Sequence, residues 1–359
     1  MSGANIHLLF PFDTAVSGDY FLGRRSETEA LVQALSGDGR GAVLYEPPKS
    51  GKETLIRHAI QIIGGDSGRL ILCEADLGGV RDYKSFIATL RGAFGKAFED
   101  ISRHTLLPFE IDVEKIDEKR LLTLPHVMAA QCGVPVILYL REFQNIANAA
   151  GKHFRLEDLD KEWTRQKGVK YIFSGSCVNA MKEIFEEKML FYYLARHIAL
   201  SPLPKREVVE HLSAKMLGAG RVLQSEEAEE IWRLCCGSIW YARQLCTICY
   251  SYPAGYINHS VVESGHRALM SLHRPRFLNM AAELTPHQIS LLRAICDGEQ
   301  RFSSAEVITR YGLNSSANVF RLKEALRKKE IVTFDRKDRA TILDPLFEYW
   351  LKKEYFPGV

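Results

Sequence analysis

Apolar positions follow two different rhythms along the chain. Over the first 200 residues, short unbroken apolar runs recur: GAVLY at 41–45, RLILCEADL at 69–77, VPVILYL at 134–140, KYIFSGS at 170–176 and HIAL at 197–200. Runs of this length, bounded by turn residues, predict buried strands. Between them lie longer segments with helical spacing, such as Leu55, Ile56, Ala59, Ile60 and Ile63, closed by Gly64 and Gly65. Strands alternating with helices predict a parallel sheet covered on both faces. After Pro202 and Pro204 the strand pattern stops, and residues 205–280 read as helical throughout. From residue 285 three short helices are predicted, at 285–298, 303–312 and 315–330. Thr285 with Pro286, and Ser303 with Ser304, supply N-terminal signals. IVTFDRKDRATILD then reads as a hairpin turning at Asp335–Asp338, and residues 345–356 as an amphipathic helix. Three helices and a two-stranded wing are the pattern of a winged helix-turn-helix. The expected organisation is an α/β domain at 1–202, a helical domain at 203–282 and a winged helix at 283–359.

Composition narrows the class without naming a task. A chain of 359 residues suits two or three domains. With 46 % hydrophobic and 25 % charged residues it is neither disordered, collagen-like nor a coiled coil. No run reaches the roughly 18 apolar residues that span a bilayer. The first twenty residues have no basic n-region and no apolar core of signal-peptide length. A soluble cytoplasmic protein with no membrane partner is expected. Lys and Arg number 47 against 44 Asp and Glu, a net charge of +3. Residues 285–359 hold 13 basic and 10 acidic side chains, so the whole excess sits there. The eight cysteines read as reduced, buried, small hydrophobes. Cys246 and Cys249 have zinc-ligand spacing but lie in an apolar helical stretch without a second ligand pair, and no metal site is predicted.

The informative motif is Glu46-Pro-Pro-Lys-Ser-Gly-Lys-Glu-Thr54, between a predicted strand and a predicted helix. It follows the Walker A phosphate loop, G-x-x-x-x-G-K-[ST]. Pro48, Lys49, Ser50, Gly51, Lys52, Glu53 and Thr54 are the candidate nucleotide contacts, for ATP or ADP. Gly51 permits close backbone approach to phosphate, the helix start offers free N–H groups, and Lys52 adds a full charge. Two positions depart from the motif. Glu46 replaces the first glycine, and Glu53 replaces the hydroxyl that holds Mg²⁺. Thr54 is one residue late and faces about 100° away around the helix. The third strand ends in Arg141-Glu142 where a Walker B motif has an Asp on the metal side. Glu142 stands where a hydrolytic base would orient water.

Several weaker motifs occur in the order of a known family. Phe21-Leu-Gly-Arg-Arg-Ser-Glu27 resembles F-x-G-R-x-x-E, and Arg141-Glu-Phe-Gln-Asn145 resembles D-E-F-Q-N. Phe173-Ser-Gly-Ser176 resembles a fourth-strand S-G-S, Cys236-Gly-Ser-Ile-Trp-Tyr241 resembles G-G-x-P-x-Y with Gly237 kept, and Asp344-Pro-Leu-Phe-Glu-Tyr-Trp350 also fits. On these motifs the chain resembles archaeal-type P-loop ATPases of the STAND/AAA+ group over most of its length. The resemblance implies an AAA+-like P-loop NTPase fold with a helical lid and a terminal winged helix. It implies Ser176 as a sensor and Arg196 as an arginine finger toward the γ-phosphate. Related ATPases often assemble through their P-loop domains, so an oligomer is open. The departures at 46, 53 and 141 bear on metal binding and hydrolysis, leaving Mg²⁺ open.

If that fold holds, Glu53 and Arg141, of opposite charge, converge on the magnesium position. Either they pair and fill it, or they face apart into solvent. In the third winged-helix helix, Arg321, Lys323, Arg327 and Lys328 suit phosphate contacts, and Arg336 and Lys337 on the hairpin extend them to an adjacent backbone. Glu324 and Glu330 weaken that field, which leaves duplex DNA and a protein as alternative partners. Two functions remain in view. One is a nucleotide-binding regulatory ATPase using Lys52, Glu142, Ser176 and Arg196. The other is a non-enzymatic DNA- or protein-binding module on a decayed phosphate loop.

Overall fold

A computed structural model describes residues 9–65, 70–104 and 112–357. Residues 1–8, which carry part of the expected absence of a leader, and Arg69, the first residue of the second predicted strand, lie outside the described residues. The chain forms two compact units: Arg24–Ser201, and Met1–Gly23 together with Pro202–Val359.

The first unit is a sheet with helices. In chain order it comprises α1 (Arg25–Leu35), β1 (Gly41–Tyr45), α2 (Lys52–Gly65), β2 (Ile71–Asp76), α3 (Tyr83–His104), α4 (Glu118–Cys132), β3 (Val136–Arg141), α5 (Leu156–Arg165), β4 (Val169–Gly175), α6 (Val178–Lys182) and β5 (Arg196–His197). The strands pair in parallel in the order β2-β3-β4-β1-β5. Their continuous apolar runs are the mark of strands covered on both faces: all five residues of β1, and Val136–Leu140 of β3, are buried. Predicted and observed strands agree to within a few residues, the fifth being the shortest. On one side Trp163, Tyr171, Phe173, Phe143 and Phe191 form an aromatic cluster, with Phe143 and Phe173 centroids 4.6 Å apart.

Register places the candidate chemistry. Tyr45 of β1 is level with Gly175 of β4, and Phe173 of β4 with Leu140 of β3. The residues that follow these strands, Glu46, Ser176 and Glu142, therefore emerge side by side at the carboxyl edge of the sheet, where ligands of open parallel sheets bind. In α2, Lys52, Leu55, Ile56 and Ala59 are buried, a helical stripe that seats the helix on the sheet.

The second unit is helical with a small wing. It contains α7 (Lys205–Gly218), α8 (Ser225–Leu234), α9 (Ile239–Ser251), α10 (His259–Ala282), α11 (Pro286–Cys296), α12 (Ala305–Tyr311), α13 (Ser316–Lys328), the antiparallel pair β6 (Val332–Phe334) and β7 (Ala340–Ile342), and α14 (Pro345–Trp350). Thr285 and Gln288 form a reciprocal capping box at α11, and Ser304 and Ser315 cap α12 and α13. One apolar core runs from Val208 and Leu245 through Phe277 to Leu326 and Trp350. Cys235, Cys246 and Cys249 are buried free thiols in it. Asp344 ties the helical part to the winged part. Its carboxylate caps Leu346 and Phe347 N–H, accepts the Tyr241 hydroxyl at 2.9 Å, and pairs with Arg276 at 2.6 Å. Among the described residues no helix is long and apolar enough to cross a membrane.

Gly41 opens the strand that carries the loop, and it has no room for a side chain. A Cβ there would lie 2.0 Å from the Tyr171 carbonyl oxygen and 2.8 Å from that of Leu194. Both obstacles are backbone, so neither rotates away. Gly41→Ala is expected to lower unfolding free energy by about 3 kcal/mol in urea titration; a loss within ~0.5 kcal/mol would contradict this close approach.

Candidate functional site

The phosphate loop joins β1 to α2. Lys49 and Gly51 take left-handed backbone conformations, at φ 64° and 95°. The Cβ that Gly51 lacks would meet nothing within 4 Å, so the space above the loop is open there. Pro48 and Lys49 are exposed at the loop's tip, while Ser50, Gly51 and Thr54 are half-buried. Lys52 is buried, and its ammonium turns back onto the loop. It donates to the carbonyls of Glu46 at 2.6 Å and Pro47 at 2.9 Å, and to Ser50 Oγ at 3.4 Å. Burial brings its pKa down to about 8, opposed by the nearby carboxylates of Glu142, Glu46 and Glu53.

At the metal position the two substituted side chains meet. Arg141 Nε lies 3.4 Å from Glu53 Oε2, so the pairing alternative holds. Glu53 Oε2 also accepts the Tyr139 hydroxyl at 2.7 Å, and its Oε1 takes Arg57 Nε at 2.5 Å. Glu74 completes the network, with Arg57 Nη2 at 2.8 Å and Arg141 Nη1 at 3.3 Å from its Oε1, and Asp76 lies 3.7 Å from Arg141 Nη1. Burial works against the Arg141 charge, but Glu53, Asp76 and Glu74 outweigh it and raise its pKa. A magnesium ion does not fit this arrangement. Position 53 offers no hydroxyl, its carboxylate is already shared by two guanidiniums, and a third positive centre would meet Arg141 first.

Glu142 follows β3 in a left-handed conformation, φ 48°. Its Oε2 accepts from Ser176 Oγ at 2.5 Å and from Gln144 Nε2 at 2.6 Å. The structure thus brings Glu142, Ser176 and Lys52 to one edge. Gly175 makes this possible, because a Cβ there would lie 2.4 Å from Met181 Cγ and 2.7 Å from Gln144 Oε1. Arg196 is not brought to this group. It is exposed, and its backbone is level with Ala42, three residues before the end of β1, about 10 Å back along the strand.

Sequence reasoning missed Arg57, Glu74 and Tyr139. Arg57 had a signal, since it lies four residues after Glu53 on the same helix face. Glu74 and Asp76 are found only once β2 and β3 are known to be neighbours.

The winged helix divides its candidate cations. Lys323 is turned inward to Asp338, over the rings of Phe334 at 4.9 Å and Phe302 at 5.3 Å. Arg327 pairs with Glu324 at 3.0 Å. Arg321, Lys328, Arg336 and Lys337 are exposed, as is Phe320, the chain neighbour of Arg321, at 66 %.

Comparison with known proteins agrees with this architecture. A family described as a probable winged helix domain matches residues 275–353. A Walker-type ATPase of Pyrococcus abyssi superposes with a TM-score of 0.74 at 16 % identity, covering 96 % of this chain and 99 % of that one. The ORC2 protein of Aeropyrum pernix, in complexes with ADPNP and ADP, gives 0.62 at 14 % identity, covering 94 % and 93 %. The Aeropyrum pernix ORC1 protein in complex with DNA gives 0.54 at 17 % identity, covering 98 % and 97 %. No curated protein matches the chain in sequence. The fold is that of AAA+ P-loop ATPases with a C-terminal winged helix.

The Lys52 environment has a direct readout. In a Lys Cε-labelled sample, the Lys52 resonance is expected to titrate with a midpoint near 8. Because the unfolded chain holds this proton up to an ordinary pKa of about 10.4, stability contributed by this group rises with pH between those values. A midpoint near that of the other lysines would contradict the buried ammonium.

Proposed function

We propose that the protein is a nucleotide-binding regulatory member of the STAND/AAA+ group, which holds ATP or ADP without magnesium and has weak or no hydrolysis. The observation that carries this reading is the Glu53–Arg141 ion pair at 3.4 Å in the metal position. The phosphate loop around it keeps what anion binding needs: Gly51, the N-terminus of a 14-residue helix, and a buried Lys52. Phosphates arriving at the loop would draw Lys52 Nζ from the Glu46 and Pro47 carbonyls. Arg141 would stand nearby as a fixed positive group, already charge-matched. Glu142, held by Ser176 and Gln144, would serve as the water-positioning carboxylate. The cation that normally neutralises charge developing on the transferred phosphoryl has no place, so binding outlasts catalysis.

Calorimetry is expected to give the same affinity for ATP with 5-fold excess Mg²⁺ or with EDTA, within about threefold, and a loss of at least about tenfold in Lys52→Ala. The double variant Glu53→Ser/Arg141→Asp is expected to make binding magnesium-dependent. Magnesium-dependent turnover by the wild type that disappears in Lys52→Ala would overturn the proposal. No binding heat under any condition would favour the scaffold reading, which the closure of Lys52 onto its own loop supports.

For the winged helix we propose duplex DNA as the partner, through Arg321, Lys328, Arg336 and Lys337. Their exposure supports this, as does the DNA complex of the ORC1 neighbour. With four phosphate contacts, the log–log dependence of affinity on salt is expected to have a slope of about −4, falling by about two in Arg336→Ala/Lys337→Ala. Absence of binding at 50 mM salt would transfer this surface to a protein partner.

A further inference from the structure

Glu46 stands where a phosphate loop ordinarily has glycine, and its carboxylate has a specific task. Oε1 accepts the Leu200 N–H at 3.1 Å, linking the start of the loop to the segment after β5. The next residue is held on both backbone groups. Ser201 N–H donates to Glu27 Oε1 at 2.9 Å, and its carbonyl accepts from Arg24 Nη1. Arg24 pairs with Glu27 at 3.3 Å and also reaches the Ser50 carbonyl at 3.5 Å. Both ends of the loop, Glu46 and Ser50, are thus tied to Leu200–Ser201, the last residues of the sheet unit before Pro202. The same Glu46 supplies the carbonyl that Lys52 Nζ grips at 2.6 Å. An anion that takes Lys52 removes that grip and sets negative charge beside the Glu46 carboxylate. Burial raises the pKa of Glu46, with the Leu200 bond and the Lys52 charge opposing. A carboxylate in such surroundings is poorly placed to tolerate a second anion.

We propose that Glu46 is a latch that fastens the Leu200–Ser201 connector to the phosphate loop and releases it when nucleotide phosphates engage Lys52. The proposal rests on the nucleotide reading above and adds the regulation of that site. By reciprocity, a latch that nucleotide opens must itself weaken nucleotide binding by the same factor. A glycine at this position has no such latch.

The test is hydrogen–deuterium exchange of the full chain at Leu200 and Ser201, for wild type, Glu46→Gln and Glu46→Ala. Each is measured alone and with ATP in EDTA, and calorimetry of the same samples reports binding. Exchange across 136–141 in β3 checks that each variant is folded. In the wild type, saturating ATP is expected to speed Leu200 exchange about tenfold. Glu46→Ala should exchange fast with or without ATP and bind ATP more tightly. Glu46→Gln keeps an acceptor without the charge, so it should stay protected alone and release less with ATP. Equal Leu200 protection in ligand-free wild type and Glu46→Ala would overturn the latch. So would ATP that binds the wild type by calorimetry and leaves its exchange unchanged. Absence of binding heat in all three proteins would instead remove the nucleotide reading and the coupling with it, while the ligand-free comparison still reads the latch itself.

Discussion

Charge drawn partly out of water must be matched at short range, and at the carboxyl edge of this sheet that constraint shapes the whole site. Glu53 lies in the first turn of α2 and Arg141 ends β3, so their pairing joins the helix after the phosphate loop to the sheet. An isolated, partly exposed pair of this kind contributes only ~0–1 kcal/mol. Here the pair is embedded: Arg57 and Tyr139 share Glu53, and Glu74 is shared by both arginines. Removing Arg141 would leave Glu53 and Glu74 sharing the Arg57 guanidinium and take from Asp76 the guanidinium 3.7 Å away. The substitutions at 53 and 141 are therefore coupled, each making sense only with the other. Where a Walker site has a hydroxyl and an Asp converging on a divalent ion, this site has a carboxylate and a guanidinium converging on each other.

The elements of the fold were legible because the forces that make them are local. Buried parallel strands read as unbroken apolar runs, and the capping residues Thr285, Ser304 and Ser315 mark helix starts by their own hydrogen bonds. The phosphate loop was legible for the same reason, being one contiguous segment. The site around it was legible in part. Glu142 and Ser176 follow strands that the motif order made neighbours, and their 2.5 Å hydrogen bond is the outcome of that register. Tyr139, by contrast, sits in a run of buried strand residues, and nothing in the run shows that its hydroxyl reaches Glu53. Arg196 shows how far register decides placement. A residue can match a motif by order while the register of a two-residue strand sets it level with Ala42 rather than with the loop. Lys323 carries the right charge on the right helix, yet Asp338 lies fifteen residues away and the hairpin must fold before the pair exists.

The two unusual acids of the loop act in opposite electrostatic settings. Glu53 is satisfied by cations and hydroxyl, so its charge is neutralised in place. Glu46 has one backbone N–H and the charges of Lys52, Arg24 and Lys182, and burial outweighs them. A nucleotide would find the first acid inert and the second in its way. That asymmetry matters for how the site can respond. On the proposed reading the Glu53–Arg141 pair takes the place of a metal, and magnesium would then no longer signal that a nucleotide is correctly seated. Glu46 supplies a different signal, because its bond to Leu200 survives only while the loop's own charges remain undisturbed. On that reading a phosphate loop without the metal keeps a charge-sensitive element, placed not on the phosphoryl-transfer side of the site but where the Glu46 carboxylate meets the backbone that leaves the sheet.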